Sequence, residues 1–218
     1  GGNRERDLKT GFTSPPKITL KSFLSFLFHP KWTLNFLLRK KFDLPFLSEF
    51  VKEGTDIRIS VSDYFSNMLD QNMNWDDAIE IKKRWNGVFC LKGIMSKEDA
   101  IKAVDIGADA IMISNHGGRQ LDGSRSPFDQ LDEIVDAVAG KIDIICDGGI
   151  RRGTHILKAI SKGANACSGG RLYLYALASG GEEGVTQSIN NLKSELTRDM
   201  KLMGLTKISQ LSKDNLRF

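Results

Sequence analysis

From Asn74 onward the apolar positions alternate between two periods. Residues 74–85 carry apolar side chains at helical spacing behind Asn74, a capping residue. GVFCLK (87–92) is a short apolar run that predicts a buried strand. Residues 96–107 predict a helix capped by Ser96, with Glu98 and Asp99 in its first turn and Gly107 at its end. Strand, helix and strand follow at 108–114, 126–140 and 141–147. A helix at 154–163 and a weaker strand at 164–170 come next. A long amphipathic helix (182–203) and a short one (206–211) close the pattern.

This order predicts a parallel α/β sheet. Both a doubly wound sheet and a (β/α)8 barrel produce it. The chemistry-bearing residues separate the two, because they follow every strand: Lys92, then Asn115 and His116, then Asp147 to Arg151, then Gly170 and Arg171. Function after every strand is the barrel rule, whereas a doubly wound sheet concentrates it at one switch point. Four strands are half of a barrel. The expected fold is the C-terminal half of a (β/α)8 TIM barrel, strands 5–8, carrying an insertion. The expected divisions are 1–16, a leading segment; 17–72, a basic amphipathic insertion and loop; and 73–218, the half-barrel.

The insertion has its own pattern. Leu20, Phe23, Leu24, Leu27 and Phe28 fall on one helical face, Pro30 interrupts, and Trp32, Phe36, Leu37 and Leu38 resume the apolar character. Charge sharpens the picture. The 218-residue chain has a net charge of +4. Residues 17–41 hold Lys17, Lys21, Lys31, Arg39, Lys40 and Lys41 and no acid, which leaves a weakly acidic remainder. That distribution argues against nucleic-acid binding. It fits contact with a membrane surface, since charges and a proline interrupt the run too often for a span of about 20 apolar residues.

Composition excludes a disordered tail, a collagen-like fibre and a polytopic membrane protein: 40% of residues are apolar and 27% charged. Cys90, Cys146 and Cys167 do not suggest a disulfide framework; each lies in an apolar run and is expected to be a buried thiol in a reducing compartment. The chain opens on GGNRERD without a methionine, which predicts a processed N-terminus or a part of a longer chain.

Four short constellations carry the chemistry. SNHGGRQLDG (114–123) places His116, a candidate base, and Arg119, a candidate carboxylate fork, after a buried strand. DGGIRRG (147–153) leads into a helix, so Gly148 and Gly149 expose backbone N–H groups as an anion site, with Arg151 or Arg152 for charge. GGR (169–171) adds Gly170 and Arg171, completing a phosphate cradle where barrels commonly have one. Lys92 ends an apolar strand and is expected to point into the site, to stabilise negative charge on a cofactor ring.

These residues, in this order, resemble the FMN-dependent α-hydroxy-acid oxidase and dehydrogenase family. SNHGGRQLD followed by DGGIRRG carries the resemblance most specifically. It implies FMN as cofactor and His116 as the active-site base. GNRERD (2–7) matches the stretch following barrel strand 4, so Arg119 and Arg4 would anchor the substrate carboxylate, and Lys92 would sit beside flavin N1 and the C2 carbonyl. Ser114 would be a flavin contact, and Asp147, Gly148, Gly149, Arg151, Gly170 and Arg171 would hold the ribityl chain and phosphate. HPKW (29–32) and RLYLYALASGGEEGV (171–185) are similar to the membrane-associated lactate and mandelate dehydrogenases of that family. This implies oxidation of a small 2-hydroxy acid, L-lactate ahead of mandelate, with electrons passed to a quinone or another electron-chain acceptor. It implies peripheral residence on the cytoplasmic side of the inner membrane and a homo-oligomer at full length. Rival readings are an oxygen-using oxidase, an inactive flavin- or phosphate-binding fragment, and a structural membrane-surface protein. One departure stands out: Ser168 and Gly169 replace two aliphatic residues before GGR and are expected to loosen that strand. The first barrel half, with the remaining substrate and flavin contacts, is expected to be missing.

Overall fold

The computed structural model describes residues 5–10, 19–38, 70 and 72–217. It divides into two units, one from Asn74 onward and one within Asn3–Met73.

In the larger unit, helices begin where the capping residues stand. Asn74 caps α4 (Trp75–Arg84), and the Asp77 carboxylate accepts the Asn74 N–H at 2.8 Å; acids fill the first turn and bases the last. Ser96 accepts the Asp99 N–H at the start of α5 (Lys97–Asp105). Ser126 does the same for Asp129 at the start of α6 (Pro127–Val138), where Pro127 occupies a first-turn position that needs no N–H partner. Each such cap contributes about 1 kcal/mol.

Between these helices and α7 (Gly153–Ser161) run β1 (Cys90–Lys92), β2 (Ala110–Ile113), β3 (Asp143–Asp147) and β4 (Ala166–Ser168). They pair in parallel in sequence order, with no reversal. A doubly wound sheet would reverse direction at a switch point, whereas stepping one strand at a time is how a barrel grows. β1 and β4 are shorter than the apolar runs predict, because each is an edge with a single neighbour.

Register sorts the two faces. Leu91, Ile111 and Ile144 form one row and Ile113, Cys146 and Cys167 the next. Ile111, Ile113 and Cys146 are fully buried and pack with Leu131, Ile134 and Val138 of α6 and Ala100 and Ala103 of α5. Burying each large aliphatic side chain contributes roughly 1.5–3 kcal/mol. The alternate positions, Lys92, Met112 and Ile145 in one row and Asp147 and Ser168 in the next, point to the other face.

Helix α8 (Arg171–Leu202) is two helices in one, broken at Gly180 and Gly181. The second segment starts where the amphipathic pattern predicts; the first, from Arg171, covers residues that the pattern leaves unassigned. The final short helix is two 3-10 turns, Ile208–Gln210 and Lys213–Asn215. Glu195 of α8 supplies the cap that α7 lacks: its Oε2 accepts the Gly153 N–H at 2.8 Å, and Arg152 pairs with its Oε1 at 3.3 Å. A Cβ on Gly153 would lie 2.5 Å from the Leu196 backbone nitrogen. Gly153→Ala is therefore expected to push α7 off α8 and cost about 1–3 kcal/mol, read as a lower urea midpoint at unchanged slope.

The smaller unit contains α1 (Glu5–Thr10), α2 (Leu20–Phe28) and α3 (Pro30–Leu38). Thr19 caps α2. The break predicted at Pro30 falls at His29, and Pro30 opens α3, a position where its missing N–H costs nothing. The Phe26 and Trp32 rings stack at 5.8 Å, and the Thr33 hydroxyl donates to the Phe26 carbonyl at 2.8 Å, holding the two helices as a hairpin. No residue of α2 is buried. Leu20, Phe23, Leu27, Phe28, Leu37 and Leu38 are all exposed. Among the described residues, no helix is long and apolar enough to cross a membrane. Most of residues 42–72, the later part of the expected insertion and loop, lies outside the described residues.

Candidate active site

The row at the C-terminal ends of the strands closes into a hydrogen-bonded network. Lys92 Nζ donates to Ser114 Oγ at 2.9 Å and lies 3.5 Å from Asp147 Oδ2. Ser114 Oγ donates to Asp147 Oδ2 at 2.5 Å and accepts the His116 backbone N–H at 3.1 Å. Burial works to raise the pKa of the Asp147 carboxyl. The hydroxyls of Ser114 and Ser168 and the Lys92 ammonium outweigh it and hold the carboxyl below the usual carboxylate range. Ser168, expected to loosen β4, also lies beside this carboxylate. It stands in register with Asp147 and gives the carboxylate a hydrogen bond that an aliphatic residue lacks.

The loop after β2 is built by unusual backbone. His116, Gly117 and Gly118 all have positive φ, at 57°, 70° and 71°. For histidine this is uncommon and strained, and such strain concentrates at functional sites. Asn115 stabilises the turn: its Oδ1 accepts the Gly118 N–H at 3.0 Å and its Nδ2 donates to the Arg125 carbonyl at 3.0 Å. His116 and Arg119 are both exposed in this loop. A cavity of about 470 Å³ opens beside it, lined by Lys92, Ser114, His116 and Gln120 among others. Arg4 lies outside the described residues.

The second glycine turn follows β3. Gly148 and Gly149 have φ of 113° and 73°. Arg151 is exposed, and its backbone N–H donates to His155 Nδ1 at 3.2 Å. The same nitrogen lies 3.0 Å from the Gly149 carbonyl. His155 and Lys158, one turn apart on α7, line a cavity of about 460 Å³ with Gly148, Gly149 and Arg171. Neither residue stands out in the sequence, since both sit inside an ordinary helical pattern. Gly170 caps α8 without a side-chain bond. Arg171 Nη2 donates to the Gly117 carbonyl at 2.8 Å, so the residue expected at the phosphate also ties the end of β4 to the His116 loop.

Of the three cysteines, Cys90 is exposed, contrary to expectation, because it lies on the face turned away from the helices. Cys146 is buried and Cys167 half-buried. Burial pushes the Cys146 thiol up to about 11 and that of Cys167 to about 12, so both stay protonated at neutral pH.

Residues 1–218 match the family described as FMN-dependent dehydrogenase. The chain belongs to that family. It is 38% identical over 211 residues to a Mycobacterium tuberculosis protein provisionally named L-lactate dehydrogenase, covering 97% of this chain and 49% of that protein. The structure of a monotopic membrane protein, (S)-mandelate dehydrogenase, superposes with a TM-score of 0.91 at 35% identity, over 99% of this chain and 57% of that one. A flavocytochrome b2 variant gives a TM-score of 0.68 at 37% identity, over 76% of this chain and 44% of that one. The chain therefore spans about half the length of the relatives it matches, and its four parallel strands are the second half of their barrel.

The residues present fit FMN, the cofactor of the family. A Cβ built on Gly149 or Gly170 would meet no protein atom within 4 Å, so the space above these backbones is open to a ligand. The neighbouring cations Arg171 and Lys158 suit a phosphate dianion. Lys92, held by Ser114 and Asp147, presents positive charge at the next strand ends.

Proposed function

We propose that this chain forms the FMN-binding half of an enzyme that oxidises an (S)-2-hydroxy acid, L-lactate to pyruvate foremost, and delivers the electrons to a quinone or another respiratory-chain acceptor. The observation that carries the reading is the placement of His116 on a strained loop whose backbone is bonded to the Lys92–Ser114–Asp147 network. The provisional lactate name of the 38% identical relative supports lactate. The mandelate dehydrogenase superposition supports mandelate as the second substrate.

FMN supplies a two-electron acceptor for the substrate. Gly148, Gly149, Gly170, Arg151 and Arg171 would hold its phosphate and ribityl chain, with Asp147 and Ser114 beside them. Arg119, joined by Arg4, would clamp the substrate carboxylate in a bidentate fork. His116 would take the substrate proton, from the hydroxyl or from Cα. Lys92 would place its ammonium where negative charge grows on reduction.

The test is flavin absorbance. A protein carrying all eight strands is expected to bind FMN and to be bleached by L-lactate. The 218-residue chain is expected to bind it far more weakly, because half of the contacts come from the other strands. An eight-stranded protein that binds no flavin overturns the reading. Peroxide release during turnover would favour the oxygen-using oxidase instead.

Peripheral residence on the cytoplasmic side of the inner membrane belongs to the same proposal. The exposed apolar faces of α2 and α3 support it, with Lys21 and Lys31 exposed among them. Leu24→Glu combined with Phe28→Glu is expected to weaken sedimentation with anionic vesicles by more than about tenfold, since each side chain contributes roughly 1.5–3 kcal/mol when buried. Unchanged sedimentation would remove the hairpin from membrane contact.

A further inference from the structure

We propose that His155 makes phosphate binding in the α7 cavity proton-linked, so that the chain takes up a proton at this ring when it binds FMN. The inference rests on the FMN reading above and concerns a residue to which that reading gives no role.

One nitrogen, His155 Nδ1, faces two backbone groups of opposite character. The Arg151 N–H, 3.2 Å away, is a donor and needs a bare nitrogen. The Gly149 carbonyl, 3.0 Å away, is an acceptor and needs a protonated one. A single Nδ1 cannot serve both at once. With the proton on Nε2, the neutral ring holds Arg151. The imidazolium releases Arg151 and donates to Gly149, within the turn that would hold the phosphate.

The surroundings decide which form prevails. Lys158 lies one turn along α7 on the same face. Arg171 reaches the cavity from the start of α8, whereas Arg151 lines a different cavity with Arg152 and Glu195. The remaining lining, Asn115 and Gly117 after β2 and the start of α6, brings no charge. Lys158 and Arg171 are the charged side chains that line this cavity with His155. A phosphate dianion bound among them would favour the imidazolium over the neutral ring. Linkage then requires that lowering the pH through the histidine range tightens phosphate binding relative to a protein lacking the ring.

His155→Asn is the informative variant. Its amide keeps one polar atom near the Nδ1 position, able to meet one of the two backbone groups, with nothing to titrate. FMN dissociation constants are measured by fluorescence quenching from about pH 5 to 8 in the apo form of the eight-stranded protein and in the variant. The phosphate's own ionisation near pH 6 affects both equally and cancels in their ratio. The expected result is a ratio, variant over wild type, that rises toward acid by on the order of fivefold. Riboflavin, which lacks the phosphate, should show no such rise. Calorimetry of wild type alone above about pH 7, where the phosphate is already a dianion, in two buffers of different ionisation enthalpy, should register proton uptake with FMN and none with riboflavin, whether or not the variant folds. A flat ratio, an equal rise with riboflavin, or no proton uptake overturns the proposal. Failure of the wild-type protein to bind FMN at any pH overturns the flavin reading itself.

Discussion

His116→Asn is expected to lower turnover of an (S)-2-hydroxy acid by about 10²–10⁴-fold in the eight-stranded protein, with flavin absorbance retained. Asparagine tolerates positive φ, so the loop should keep its shape at φ 57°. The His116 backbone N–H would still donate to Ser114 Oγ, because that bond does not involve the side chain. What disappears is the imidazole ring that would accept the substrate proton. Stopped-flow reduction of the flavin by L-lactate checks this. A reduction rate within a few-fold of wild type would show that the proton goes elsewhere, and the assignment of His116 would fall. Loss of flavin together with activity would mark a structural role instead.

Asp147→Asn should be the most destabilising isosteric change in the site. The carboxylate accepts from Ser114, Ser168 and Lys92. The amide presents one acceptor oxygen, and its NH₂ group faces donors. Losing hydrogen bonds of this charged kind costs about 1.5–3 kcal/mol, the lower part of that range being appropriate because the Lys92 side chain is half exposed. The sign with pH follows from the direction of the shift. The folded carboxyl titrates below its ordinary value of about 3.9, so its contribution to stability is complete above about pH 4. That contribution is lost as the pH falls through the lower folded value. The difference in urea midpoint between wild type and Asp147→Asn is therefore expected to be constant near neutral pH and to shrink in acid. A difference that is absent at neutral pH, or that grows in acid, would mean that the network does not hold the charged form.

Much of the half-barrel was legible locally. Asn74, Ser96 and Ser126 mark helix starts within one residue of where they form. Short apolar runs between the helical segments place all four strands, and the polar and glycine residues after them mark the end of the sheet where the hydrogen-bonded network forms. Less legible were features without a periodic signature. The helix from Arg171 to the break at Gly180 reads ambiguously because Leu172, Tyr173, Leu174 and Tyr175 suit either a strand or a helix. The exposure of Cys90 follows from its place on an edge strand, on the same face as Lys92, which an apolar run does not reveal.

What the sequence alone determined is what each residue decides with its near neighbours: caps, periods, glycine turns, the order of the motifs, and the concentration of basic and apolar residues in 17–41. The tertiary structure decided which distant groups meet. Ser114 reaches Asp147 across 33 residues, and Arg171 reaches Gly117 across 54. Ser168, expected only to loosen β4, stands beside the Asp147 carboxylate, and His155 shares one nitrogen between two backbone groups. These pairings follow from the register of parallel strands and the packing of α7 and α8. Both are set by burial of the opposite face of the sheet, and no local run of residues encodes them.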